Sequence, residues 1–194
     1  MSHHRTNRAF YGSLLAMNVM VGVVFVLVSV PAPMPVLAAP IVVSKPFVRQ
    51  VVIPATVGTP IRLVVPSLQL DLVVATGSYD AQVGDWTSSF SKALYADISM
   101  PANDSNGTTL IYGHAQLALF ANLSTLQPGA VAEVYTDNNY VFRYTYASYK
   151  QVVPTDTSVF TSQGSPALVL QTCSGAWDVY RSLYSFELVS GDRS

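Results

Sequence analysis

From Ile61 onward the chain is a succession of short β-branched and aromatic runs, each closed by Gly, Pro, Asn or Asp. Runs of this kind, with turn residues at their ends, read as strands. They are Ile61–Val65, Leu70–Ala75, Thr108–Tyr112, Val131–Thr136, Tyr140–Tyr146, Ala167–Thr172 and Tyr180–Val189. Asp137-Asn138-Asn139 joins two alternating runs and predicts a hairpin, whose second strand continues through Tyr149–Val153 after a kink. Ala115–Leu126 places Leu119, Phe120, Leu123 and Leu126 at helical spacing, before a Pro128-Gly129 turn. Residues 78–106, rich in Ser, Asp, Gly and Asn, predict a long irregular connection or a short helix with loops. A count of about seven or eight strands at these spacings predicts an all-β barrel or sandwich.

The N-terminal part is of a different kind. Ala9–Val30 is 22 residues without a charge, and Asn18 is its one strongly polar side chain. As a helix it is about 30 Å long, enough to cross a bilayer core. Arg5 and Arg8 precede it, and the next basic residue is Lys45. The positive-inside bias therefore keeps residues 1–8 cytoplasmic and exports the rest of the chain. An uncleaved signal anchor over 9–30 fits the length; cleavage near Val36-Leu37-Ala38-Ala39 is the alternative, and both export the domain. Prolines 31, 33, 35, 40, 46, 54 and 60 then break any helix, so residues 31–60 read as a semi-extended stalk before a domain at 61–190.

Beyond residue 40 the chain carries eight Lys and Arg against eleven Asp and Glu, a net charge of −3. That balance argues against a nucleic-acid surface, which needs clustered basic side chains. The single cysteine rules out an internal disulfide. In an exported domain an unpaired Cys is either a buried small hydrophobe or a reactive thiol.

Its position favours the second reading. Cys173 ends the run Ala167-Leu-Val-Leu-Gln-Thr-Cys173, and Arg181 opens the next run eight residues later. His114, the one histidine outside the N-terminal tip, ends Thr108-Thr-Leu-Ile-Tyr-Gly-His114. A thiol attacks a carbonyl as its thiolate, an imidazole relays the protons, and a guanidinium stabilises the oxyanion. If the runs around Leu170 and Leu183 are neighbouring strands, Cys173 and Arg181 face each other, and His114 sits at the same rim.

The order Tyr112-Gly113-His114, then Leu170-Gln171-Thr172-Cys173, then Arg181 opening an alternating strand, resembles the sortase family of cysteine transpeptidases. The resemblance spans about residues 60–190, and the Pro-rich stretch after an apolar anchor fits it. It implies a closed β-barrel of about eight strands with one or two short helices, preceded by a transmembrane helix. Cys173 is then the nucleophile on the Thr-Gly bond of a Leu-Pro-x-Thr-Gly-like sorting signal, His114 the general acid and base, and Arg181 the substrate and oxyanion clamp. Thr172 is implied to line the site and position substrate. The implied partners are surface proteins bearing the signal and an amine of a peptidoglycan precursor or pilin, at the outer face of a bacterial membrane. No cofactor is implied, and Glu133, Asp137 and Asp156 are too scattered in sequence to argue for calcium.

Two positions depart from the family pattern. Val169 stands where Thr often precedes Leu-x-Thr-Cys, and no Asp-Pro-aromatic lid motif occurs, Gly84-Asp85-Trp86 being a poor substitute. Two other readings compete. An L,D-transpeptidase carries Ser-x-Gly before its Cys, where this chain has Gln171-Thr172. A non-catalytic tethered β domain, acting as an adhesin or assembly module, leaves Cys173 inert.

Overall fold

The computed structural model describes residues 56–194. The expected cytoplasmic tip at 1–8, the apolar span at 9–30 and the stalk up to residue 55 lie outside the described residues. Among the described residues no helix is long and apolar enough to cross a membrane.

Eight strands close into a barrel. They are β1 (Pro60–Val65), β2 (Leu70–Gly77), β3 (Ala93–Ala96), β4 (Thr108–Tyr112), β5 (Val131–Thr136), β6 (Tyr140–Val152), β7 (Ala167–Ser174) and β8 (Tyr180–Arg193). Around the barrel the order is β6-β8-β7-β4-β3-β2-β1-β5, with β5 closing onto β6. Two pairs run parallel, β7 with β4 and β2 with β3. All other pairs are antiparallel. Parallel neighbours need long crossovers, which explains the chain spent on residues 78–92 and 113–166. The pair β6–β8 shifts register between Arg143 and Tyr144 and again between Tyr146 and Ser148. Such bulges bend a strand, and they account for the kink expected near Tyr149.

Strand alternation divides the apolar residues into two groups. Leu63, Ile111, Phe142, Leu168, Leu170 and Phe186 pack in the main core and are essentially inaccessible. Their neighbours in sequence face outward. Leu110, Val169 and Leu183 join Ala96 and Val152 in a second cluster, covered by Trp86, Tyr112, Val159 and Phe160. That outer cluster lies on β3, β4, β6, β7 and β8 and forms a covered floor beside the rim where β4 and β7 end.

Two expectations are corrected. The irregular stretch over 78–106 contains a barrel strand, β3, flanked by a hairpin of Tyr79–Asp80 with Asp85–Trp86 and by Ala102–Asn103, which pairs with Val57–Gly58. All four residues of β3 are buried, so both faces are apolar and no alternation marks the strand. The helix expected over Ala115–Leu126 is a set of bends with a 3₁₀ turn at Ala121–Thr125. Asn122, Ser124 and Thr125 are weak helix formers that compete for backbone groups. The Thr125 hydroxyl does so, donating to the Asn122 carbonyl at 2.8 Å. Leu119, Phe120, Leu123 and Leu126 are nevertheless buried, so the apolar spacing marked the correct inward face.

Candidate active site

The parallel pairing of β4 and β7 decides what meets at the rim. Because the two strands run the same way, their C-terminal ends emerge together, and antiparallel β8 begins at that same end. Cys173 on β7 is the direct partner of Arg181 on β8. The β4–β7 register runs from Ala167 opposite Thr108 to Gln171 opposite Tyr112. The ladder continues with the Gly113 amide donating to the Gln171 carbonyl at 3.1 Å. The paired ladder ends there, and His114 follows Gly113 just beyond the end of β4.

The two strand residues share a face: Cys173 is in phase with outward Val169, and Arg181 with Leu183. Cys173, Arg181 and His114 are all half-buried. Thr172 is placed differently. It alternates with Cys173, follows the phase of Leu168 and Leu170, and packs inside the barrel, where its hydroxyl is buried without a hydrogen-bond partner.

Arg181 is held by the connection between β7 and β8. Its Nη1 donates to the carbonyls of Asp178 at 2.8 Å and Tyr180 at 3.0 Å. The turn that offers these carbonyls is tight: Gly175, Trp177 and Asp178 all have positive φ, at 80°, 61° and 57°. Gly175 takes such a conformation freely, whereas Trp177 and Asp178 store strain of about 1 kcal/mol or more each. Trp177 is at the same time 96% exposed. A guanidinium fixed before substrate arrives needs no reorganisation when charge develops.

The thiol of Cys173 is shifted above its ordinary range. Burial is the main cause; the positive charge of Arg181 opposes it, and the carboxylate of Asp178 adds to it.

His114 is framed by the strap between the small hairpin and β3. Its Nε2 lies 3.0 Å from the Ser88 hydroxyl. The Phe90 ring stacks on the imidazole at 4.7 Å, with 9° between planes. Trp86 stacks on Phe160 at 6.0 Å and meets the edge of Tyr112 at 5.6 Å. These contacts had no motif to announce them. The one signal in the sequence was the alternation of Trp86, Ser88 and Phe90 within a Ser-rich stretch.

The Sortase domain model matches residues 63–186, well over half of the chain and all three rim residues. The chain belongs to the sortase family. Membership makes it a cysteine transpeptidase of the cell surface. Solved sortases share the fold. Sortase A of Listeria monocytogenes aligns with a TM-score of 0.57 at 18% identity, over 72% of this chain and 92% of that one. Sortase C-3 of Streptococcus pneumoniae aligns with a TM-score of 0.57 at 20% identity, over 71% and 66%. Sortase A of Corynebacterium diphtheriae aligns with a TM-score of 0.58 at 18% identity, over 70% and 62%. No curated protein matches this sortase.

Proposed function

We propose that this sortase cleaves a Leu-Pro-x-Thr-Gly-like signal between Thr and Gly and transfers the acyl part to an amine of the cell wall or of a pilin. Cys173 is the nucleophile, His114 the proton carrier and Arg181 the oxyanion clamp. The single observation behind this reading is the shared rim: Cys173 and Arg181 are direct strand partners, and His114 follows the end of β4, the parallel neighbour of β7.

The chemistry follows from those positions. The Cys173 thiol yields its proton to His114, and Sγ adds to the threonine carbonyl carbon. The oxyanion that forms is met by the guanidinium. As the C–N bond breaks, the imidazolium protonates the departing glycine amine, leaving a thioester. The acceptor amine then gives a proton to the neutral imidazole as its nitrogen bonds the carbonyl carbon. The C–S bond breaks, and the sulfur leaves as thiolate to be reprotonated from His114. One amide is exchanged for another, and every proton returns to its place.

Val159, Val169, Leu183 and Lys150 line a hollow on the same outer face as Cys173, and it extends away from the rim to Thr108, Ala167 and Ser185. Leu and Thr of the signal are three residues apart, about 10 Å when extended, so with the threonine carbonyl at Sγ the leucine lies toward this hollow. Thr172 acts on the site through the backbone, keeping the alternation that turns Cys173 outward. The 9–30 span serves as a single-pass anchor and 31–55 as the stalk, with the barrel outside the membrane; Val57–Gly58 and Pro60, expected in the stalk, belong to the folded domain.

The test is turnover of a fluorogenic Leu-Pro-x-Thr-Gly peptide with an added amine. Transfer product from the wild type, none from Cys173→Ala and almost none from His114→Ala supports the reading. Turnover that survives Cys173→Ala removes it.

A further inference from the structure

His114 is gripped by residues that the proposed transfer does not use. The strap Trp86–Phe90 lies along the exit of β4, with every second residue facing every second residue. Trp86 meets Tyr112, Ser88 meets His114, and Phe90 meets His114 and Gln116. The strap is anchored on both sides of Ser88. The Tyr112 hydroxyl donates to the Thr87 carbonyl at 2.9 Å, and the Gln116 amide donates to the Phe90 carbonyl. Gly77 makes this possible, since a Cβ there would occupy the place of the Tyr112 hydroxyl. Phe90 is 74% exposed, so burial does not explain its place on the imidazole.

We propose that Ser88 is a positioning residue: its hydroxyl accepts from Nε2–H of His114 throughout the cycle, so that Nδ1 is the nitrogen that exchanges protons with Cys173 and the amines. The direction of the bond follows from the two charge states of the ring. Imidazolium is a donor at both nitrogens, so only an accepting Ser88 keeps its bond when His114 is charged. With Nε2–H held, the neutral ring has its lone pair at Nδ1. In acylation the Nδ1 proton passes to the departing amine as the C–N bond breaks. In transfer Nδ1 takes the proton of the incoming amine as that nitrogen bonds the carbonyl carbon, and returns it to the sulfur after the C–S bond breaks. Nε2 keeps its proton in both steps. Phe90, parallel to the ring, fixes the plane in which that lone pair points.

The inference rests on His114 being the proton carrier, and the experiment separates the two claims. On the full-length chain, kinetics with the Leu-Pro-x-Thr-Gly peptide are compared for wild type, Ser88→Ala, Ser88→Thr and His114→Gln. ¹⁵N spectra of labelled histidine are recorded in parallel, the His114 signals being identified by their loss in His114→Gln. The expected wild-type spectrum in the neutral form shows the proton on Nε2. Ser88→Ala is expected to mix the tautomers and to lower kcat about tenfold with KM within twofold, a part of what general acid–base catalysis supplies. Ser88→Thr, which keeps the hydroxyl, restores kcat to within about threefold. A neutral wild-type ring protonated on Nδ1 overturns the proposal. So do wild-type kcat and an unchanged tautomer ratio in Ser88→Ala when His114→Gln is inactive. Activity that survives His114→Gln overturns the role of His114 itself, whatever Ser88 does.

Discussion

Cys173 and Arg181 are direct partners across the antiparallel pair β7–β8, and their side chains leave the same outer face of the barrel. Directly opposed residues have Cβ atoms about 5 Å apart, so a guanidinium there acts on the sulfur and on any oxygen next to it. Seven residues lie between the two, most of them spent on a tight turn whose carbonyls hold the guanidinium.

The charges around the sulfur make the thiol tunable in both directions. Arg181 lowers its pKa and Asp178 raises it. Asp178→Asn is expected to move the pH midpoint of iodoacetamide alkylation downward and to speed alkylation at pH 7. Arg181→Gln is expected to move it upward and to slow alkylation. Arg181→Lys keeps the charge and leaves the midpoint near that of wild type, yet loses at least about tenfold in kcat/KM, because an ammonium cannot reproduce the planar fork. Stopped-time alkylation followed by mass measurement, together with peptide turnover, checks all three.

Thr172→Val replaces a buried hydroxyl that has no partner. Removing an unpaired polar group while keeping the shape is neutral or stabilising by up to about 1 kcal/mol. Turnover is expected to stay within about threefold of wild type. Urea denaturation and peptide kinetics check this, and a loss of more than about 1 kcal/mol or of activity would show that the hydroxyl is engaged.

Trp86 joins the strap to Phe160 and Tyr112 and covers part of the outer cluster. Trp86→Ala is expected to cost about 1–3 kcal/mol, less than a fully buried Trp, because its ring is only half-buried. Loosening the strap is also expected to lower kcat more than it raises KM. Equilibrium unfolding and steady-state kinetics separate the two effects. The conservative Trp86→Phe is expected to recover most of both.

Buried phenols make the barrel sensitive to alkali. Burial pushes Tyr112 up to about 12 and raises Tyr144, whose hydroxyl lies inside the barrel, still further. For a group whose pKa rises on folding, the contribution to stability is whole below the unfolded value, near 10 for Tyr, and is lost as pH climbs through the folded value. The urea midpoint is therefore expected to hold below about pH 10 and to fall between about pH 10 and 12. Tyr112→Phe is expected to flatten that fall.

The barrel was legible because most strands are one-sided. Leu168, Leu170 and Phe186 alternate with outward residues, and alternation is what a sequence displays. β3 was not legible for the opposite reason: Ala93–Ala96 is buried on both faces and only four residues long. The 3₁₀ turn at Ala121–Thr125 resembles an α-helix in sequence because both bury residues three or four apart. Cys173, His114 and Arg181 stood out by scarcity and by ending or opening strands. Ser88 and Phe90 did not, since what brings them to His114 is the parallel crossover from β2 to β3, which no local pattern encodes. Thr172, next to Cys173 in sequence, is set apart from it by a single step of strand alternation.

The central claim, that Cys173 forms a thioester with the threonine of a sorting signal, is tested most directly by intact mass. The full-length chain is mixed with a Leu-Pro-x-Thr-Gly peptide without amine, quenched in acid and weighed. The expected result is an added mass equal to the peptide up to and including Thr, located on Cys173 by fragmentation and discharged by an added amine. A wild-type protein that carries no adduct on Cys173, yet turns the same peptide over, would contradict the claim.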